Sequence, residues 1–397
     1  MIPLLENVRV LELSAIVMGP FAGQILADLG ADVVKAEPLE GDMARASHPQ
    51  AAGMGALYVN NNRNKKSIAI DAKSAQGRAV LERLIARSDV LLHNMRTEAV
   101  ERLGLGFSAA AAINPQLIYC AAVGFGGRGR YRNQPAFDDV IQAASGLAAL
   151  ASQNEPRFMP TILADKIGAL YAVYGILAAL LRRARGHRGA IRVEVPMFEA
   201  LTAFVLNEHL AGATFEREGG VGYSRVLSPD RRPYRTRDGW IAVLPYTEKQ
   251  WRCFLVEVGK SRVLDEPWFG DSAGRQAHIN ELYGIVADVL PERDTASWLE
   301  TFLRLDIPCS RINRLEDLLR DPHLADVGFF DVGSKYPDEI LRMLPQPVVF
   351  DGLAPCDDRP PPALGADTRS VLRDAGYTDE QVDAILQRGV VREANSR

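Results

Sequence analysis

Residues 8 to 37 read VRVLELSAIVMGPFAGQILADLGADVVKAE, and this stretch decides the fold class. Val8–Leu13 is short and apolar with β-branched residues, the texture of a buried strand. Gly19–Leu29 carries a Gly-Pro start, helix-forming residues and a stop at Gly30. Val33–Ala36 is the next strand. Strand, turn, helix and strand in such close order make a βαβ unit, and repeated units of this kind build a parallel sheet.

The alternation continues outward. Ser67–Ile70, Val90–Leu92 and Leu117–Ala121 read as short strands, with helical patterns over Ala75–Arg87 and around Val100–Leu103. A long apolar helix starts near Asp165 and runs to Arg185, where Gly186 closes it, and Ile191–Val195 returns to the sheet. From about Gly219 the texture changes to Arg, Pro and Gly (SRVLSPDRRPYRTRDG, residues 224 to 239). Trp240–Leu244 then reads as a strand and Thr247–Val258, Glu281–Leu290 and Thr295–Leu305 as helices, with an edge strand inside Ile307–Asn313. A proline-rich stretch, Pro345 to Pro362, leads to a last helix. Its capping box, Thr378 to Gln381, sets it over Asp379–Gln387, and Gly389 stops it. The chain therefore divides into a large α/β domain over 1–215, a small α+β domain over 216–328, and a segment 329–397 without an evident core.

Composition narrows the classes. A chain of 397 residues exceeds one ordinary domain. Its net charge of −4 leaves no electrostatic footprint for nucleic acid or an anionic membrane. Cys120, Cys253, Cys309 and Cys356 lie far apart, so no metal-ligand spacing exists and free thiols in a reducing cytoplasm are expected. The most apolar run, Ile167 to Leu181, falls short of the roughly 20 residues of a membrane span, which makes it a core helix buried nearly all round.

Several segments carry candidate chemistry, each with a plainer reading beside it. Ser14–Gly23 joins a strand to a helix, where N–H groups meet anions, but it lacks GxGxxG and can be a simple helix start. Asn60–Lys66 (NNNRNKK), with Lys73 and Arg78, is either a phosphate contact or a solvated loop. Asn94, Met95 and Arg96, with Arg102, follow a strand and suit diphosphate or 3′-phosphate recognition through bidentate arginine bonds. Asp165 sits at a helix start, as a cap or dipole partner or as an ionised nucleophile, with Gly168 on the same face to admit a substrate. Tyr119–Gly129 (YCAAVGFGGRG) is a loop able to close over a ligand, or a plain turn.

Taken in order, several segments resemble the family III CoA-transferases, a group that includes formyl-CoA:oxalate and carnitine CoA-transferases and α-methylacyl-CoA racemases. They are VRVLELS with GPFAGQILADLGADVVKAEPLEGDMAR, NNRNKKSIAIDAKSAQGRAVLERLIARSDVLLHNMR, GFGGRG, FDDVIQAASGLAAL, ADKIGALYAVYGILAALL, PYRTRDGWIAV, IPCSRIN and PPALGADTRSVLRDAGYTDEQV. The likeness spans essentially the whole chain. It implies a Rossmann-like large domain built from both chain ends, a small central domain, and an interlocked homodimer. Coenzyme A enters as acyl-CoA substrate, not as a permanently bound cofactor, with a carboxylic acid as the second substrate. Asp165 becomes the nucleophile. Ile70, Asp71, Ala72, Lys73, Asn94, Met95, Arg96 and Arg102 become CoA contacts, with Phe137 and Asp138 beside the thioester.

Two departures matter. An arginine that some members carry after the KxE segment is Pro38 here. The racemases' histidine falls in Ala136-Phe137-Asp138, and Phe137 cannot exchange a proton, which favours transfer over a racemase-like activity. A non-catalytic CoA-binding protein is the reading from another class. The FGGRG amides and the start of the long helix are candidate oxyanion donors. Arg225, Arg231, Arg232 and Arg235 either clamp a distal carboxylate of the acceptor or form a solvated loop.

Overall fold

The structure is a computed structural model that describes residues 1–51, 53–152, 155–215, 220–330, 333–336, 339–353, 356 and 358–394. It divides into two compact units, 1–205 with 327–397 and 206–326. The helix Met197–His209 spans the first boundary, so the division falls ten residues before the boundary at 215 expected from the sequence.

Six strands of the larger unit are parallel: Arg9–Leu13, Asp32–Glu37, Lys66–Ile70, Val90–His93, Ile118–Val123 and Ile191–Pro196. Counted in that order they stand 3-2-1-4-5-6 across the sheet, the order of a doubly wound fold. Arg9–Leu13 and Val90–His93 are neighbours at the point where the order reverses, with Val10 opposite Val90 and Leu13 opposite His93. Successive strand residues point to opposite faces. Val10, Leu92 and Cys120 therefore pack with the helices Met18–Asp28 and Leu163–Ala184, while Leu11, Leu91 and Tyr119 pack with Ala75–Ala86 and Asp379–Gln387.

The long helix departs from expectation. Leu163–Ala184 has 22 residues and is, among the described residues, the one helix long and apolar enough to cross a membrane by length and composition. Small residues, Ala164, Gly168, Ala172 and Ala179, are on its buried side with Ile167 and Ile176, and the larger Leu170, Tyr174 and Leu181 are more than half exposed. It is a core helix on one face only.

A seventh strand, Val391–Arg392, pairs antiparallel with Lys66–Ile70 and closes that edge of the sheet. The Asp71 N–H donates to the Val390 carbonyl at 2.8 Å, and the Asp367 carboxylate accepts from the Ser67 N–H at 2.9 Å. Residues from the end of the chain thus complete the sheet begun at residue 9.

The smaller unit has its own core of Trp251, Phe254, Phe269, Tyr283, Trp298 and Phe302. These side chains come from the helices Glu248–Glu257, Ile279–Val289 and Thr295–Arg304 and from the loop that carries Phe269. Beside them lies an antiparallel sheet in the order Cys309–Arg311, Trp240–Val243, Tyr234–Arg235.

Candidate active site

The site begins with the turn after the first strand. Ile16 lies at φ +73°, a left-handed conformation that a β-branched residue adopts at a cost of about 1–3 kcal/mol unless its surroundings hold it. Here the peptide groups leading into it are held. The Lys35 ammonium donates to the Ser14 carbonyl at 2.7 Å. Asn94 binds Ala15 twice, accepting from its N–H at 3.1 Å and donating to its carbonyl at 2.8 Å. The Ile16 N–H donates to both Asp42 oxygens, at 3.1 and 3.2 Å.

Under the turn lies a buried set of charges. Lys35 Nζ is 2.9 Å from Asp42 and 3.1 Å from Glu12, Lys65 Nζ is 2.8 Å from Glu12, and Arg45 is 2.7 Å from Glu37. Such charges stay ionised indoors only when paired. Burial opposes the Lys35 charge, but Glu12, Asp42 and Glu37 outweigh it and raise its pKa. Burial pushes the Lys65 ammonium down to about 8. The Asn60–Lys66 segment is therefore no phosphate loop. Asn61, Asn62, Arg63 and Lys65 are buried, with Arg63 paired to Asp28, because their partners arrive from distant strands and helices.

The turn delivers one N–H to the candidate nucleophile. Met18, first residue of its helix, donates from N to Asp165 Oδ1 at 3.2 Å. The long helix has no side-chain cap from its own N-cap residue, Ile162. Asp138 supplies one from upstream, accepting from Ala164 N at 2.6 Å and Asp165 N at 3.2 Å, while Gln142 donates to its other oxygen at 2.6 Å. Burial first, and the Asp138 charge second, raise the Asp165 carboxyl from 3.8 to about 6, against the lowering effect of the Met18 N–H. At neutral pH it is mostly ionised and yet more basic than an ordinary aspartate, as a nucleophile requires.

Beside the turn, beyond the carboxyl ends of the strands, a pocket of about 720 Å³ is lined by Ser14, Ala15, Glu37 to Glu40, Ile70 to Lys73, Asn94 and Met95. Six of the CoA positions expected from the sequence, Ile70, Asp71, Ala72, Lys73, Asn94 and Met95, come together there. Arg96 and Arg102 do not line it. They are exposed at the two ends of the next helix, Arg96 as its N-cap and Arg102 as its last residue. Pro38, at the departure from the family pattern, is part of the lining.

Phe137 is 64% exposed, and Asp138 is buried and caps the long helix. Other expectations need correction. In the FGGRG loop the Gly126 N–H donates to Glu199 at 3.1 Å and the Gly127 N–H to Glu194 at 2.8 Å, so these amides already serve carboxylates. The amides of Ala164 and Asp165 are likewise engaged by Asp138. Gly168 does not open a path for substrate. A Cβ there would meet Met18 Cε at 2.5 Å, so the glycine lets two helices approach. His93 is buried, with its Nδ1 accepting from the Met95 N–H at 3.2 Å, and burial pushes it down to about 4. It packs edge-on against Tyr119, in the cluster on the face opposite the long helix. In the smaller unit, Arg225 stacks on Tyr246, Arg235 lies over Trp240, and only Arg231 and Arg232 of the four arginines line a groove of about 480 Å³. Asp42, Glu194 and Glu199 carry no sequence signal of their roles, since each acts on a backbone amide remote in the chain.

Fold and site together define a doubly wound α/β protein with a pocket at its switch point and a buried carboxyl of raised pKa bound by the turn beside it. Residues 5–368 match CoA-transferase family III; the chain belongs to that family and is a CoA-transferase. It is similar to the succinyl-CoA–L-malate CoA-transferase β subunit of Chloroflexus aurantiacus, 29% identical over 98% of both chains. It is also similar to the succinate–glutarate CoA-transferase of Agrobacterium fabrum, 28% identical over 93% of this chain and 95% of that one. Among solved structures, a CAIB/BAIF family protein from Brucella suis superposes with a TM-score of 0.78 at 26% identity, covering 94% of this chain and all of that one.

Proposed function

We propose that this enzyme moves CoA from succinyl-CoA, or another short acyl-CoA, to a carboxylic acid through intermediates on Asp165. The Asp165 carboxylate attacks the thioester carbonyl, giving a mixed anhydride and CoA thiolate. The thiolate attacks the aspartyl carbonyl, forming an aspartyl-CoA thioester and releasing the donor acid. The acceptor carboxylate then attacks that thioester, giving a second anhydride and thiolate. Attack of the thiolate on the acceptor's acyl carbonyl yields the new acyl-CoA and restores Asp165. Every step exchanges one carboxyl derivative for another, so the thioester energy is conserved.

One observation carries this reading. The turn Ser14–Met18 walls the 720 Å³ pocket at one end and donates to Asp165 at the other, which joins a CoA-sized recess to the reactive carboxylate. Ile70 to Lys73, Asn94 and Met95 take the CoA, with Arg96 and Arg102 reaching its phosphates from outside the recess. The names of the relatives support succinyl-CoA as donor. Asp165→Ala is expected to abolish transfer and leave CoA binding by calorimetry within a few-fold of the parent. Full turnover in that variant would refute the assignment. A panel of acids offered with succinyl-CoA identifies the acceptor.

A second copy of the chain is the proposed partner, in an interlocked dimer. Leu170 and Tyr174, one helical turn apart on the helix Leu163–Ala184, are each more than half exposed in a single chain, which supports a partner surface there.

A further inference from the structure

A strained turn leads from the first strand to Asp165, and Asp42 holds its strained residue. Asp42 is itself fixed on three sides. It accepts from the Ala44 N–H at 2.9 Å, pairs with Lys35 at 2.9 Å, and its own N–H donates to Glu37 at 3.0 Å. Both its oxygens face the Ile16 N–H. Two residues on, Met18 N meets the Asp165 carboxylate, and the intervening Val17 brings no side-chain cap of its own. Asp42 does not itself line the pocket, which it meets only through Glu37, and it makes no hydrogen bond to Asp165.

We propose that Asp42 is a positioning residue for the reactive carboxylate: by clamping the left-handed Ile16 peptide it aims the Met18 N–H at Asp165. This rests on the nucleophilic reading of Asp165 only for its kinetic readout. The charges that bear on Asp165 are few. Asp138 faces it from the helix Asp138–Ala144, the helix Met18–Asp28 offers the Met18 amide, and the adjacent Lys166 is turned to Thr161 Oγ1 at 2.9 Å. Loss of the clamp frees the Met18 N–H to turn from Asp165, which weakens the hydrogen bond that favours the charged carboxylate and leaves the Asp138 repulsion intact, so Asp165 becomes harder to ionise.

Two substitutions test this. Asp42→Ala removes the clamp; Asp42→Asn keeps an oxygen for Ile16 but withdraws the charge that faces Lys35. With [13C]carboxyl-labelled aspartate, the Asp165 signal is assigned by its absence in Asp165→Asn, and its titration midpoint is read directly. The midpoint is expected near 6 in the parent and higher in both variants, more so in Asp42→Ala. The acid limb of the kcat profile should move with it, and kcat should fall about 10- to 100-fold with KM for the donor little changed. A residue that merely stabilised the fold would lower Tm without moving either midpoint. Should Asp42→Ala not fold, Asp42→Asn decides. A folded variant with the parental midpoint overturns the proposal. If the parent shows no transfer while the midpoint still moves, the transfer reading fails and the positioning role stands.

Discussion

At the residue scale, Asp165 is a helix-start acid and the proposed nucleophile, and its energetics follow from its place in the fold. A carboxyl whose folded value is about 6 against an ordinary 3.8 binds more protons folded than unfolded between those values. The Asp165 contribution to stability is therefore greatest below about pH 4, falls as pH rises through 6, and stays lost above it. The gap is worth about 3 kcal/mol. Asp165→Asn, which can still accept from Met18 N, is expected to raise Tm by a few degrees at pH 7 to 8 and not at pH 4, by calorimetry at both. Activity follows the opposite course. Turnover should rise with pH through about 6 and level off near 7, because only the ionised form attacks. An acid limb near 4 would contradict the raised value. The position of Asp165 at a helix start was legible in the sequence because the apolar period and Gly186 bound the helix. Its environment was not, since Asp138 caps from 27 residues upstream and Ile16 has no turn-forming chemistry to announce a positive φ.

At the scale of elements, local signals located most of the structure to within a residue or two. The last helix occupies Asp379–Gln387 because Thr378 and Gln381 form the reciprocal capping box that its sequence spells. The two-residue strand Val391–Arg392 was illegible, being too short for any period to show, and it forms because an edge of the sheet is open to it. The basic run at Asn60–Lys66 shows the same limit. Charge in a sequence says nothing of burial when the counter-ions, Asp28 and Glu12, lie on other elements. One helix start is unusually tight. A Cβ on Gly77 would come within 1.9 Å of the Asp71 carbonyl oxygen, and backbone cannot yield as a side-chain tip can. Gly77→Ala should cost about 1–3 kcal/mol through overpacking. Because Asp71 lines the pocket, CoA affinity should fall with it, while Asp165 stays in place. Thermal melts and calorimetric CoA titration read the two effects separately, and an unchanged affinity would detach Asp71 from the CoA site.

At the scale of the molecule, the strand order 3-2-1-4-5-6 sets the site at the reversal point, and no local pattern contains that order. The βαβ rhythm of residues 8–37 announces a parallel sheet, and the pairing of first with fourth strand appears only in three dimensions. The exposed apolar side chains of the long helix belong to the same scale. With Leu170 and Tyr174 more than half exposed in one chain, the proposed dimer predicts twice the 43.5 kDa chain mass in light scattering. Leu170→Asp with Tyr174→Asp should shift the particle towards a single chain or into aggregates. A parent that runs as one chain would remove the dimer from the reading.

The edge strand Val391–Arg392 has a consequence for how the enzyme is made. A ribosome adds about 5–20 residues per second. Strands at Lys66–Ile70 and Asp32–Glu37 are synthesised early, yet the peptide that closes their edge and braces Asp71 comes more than three hundred residues later. For most of synthesis the nascent sheet presents an unpaired border, the kind of surface that attracts other strands. The 206–326 unit, which has a core of its own, can mature in that interval. The proposed CoA recess cannot, and a chain cut short by even a dozen residues leaves the ribosome with its pocket wall unbraced.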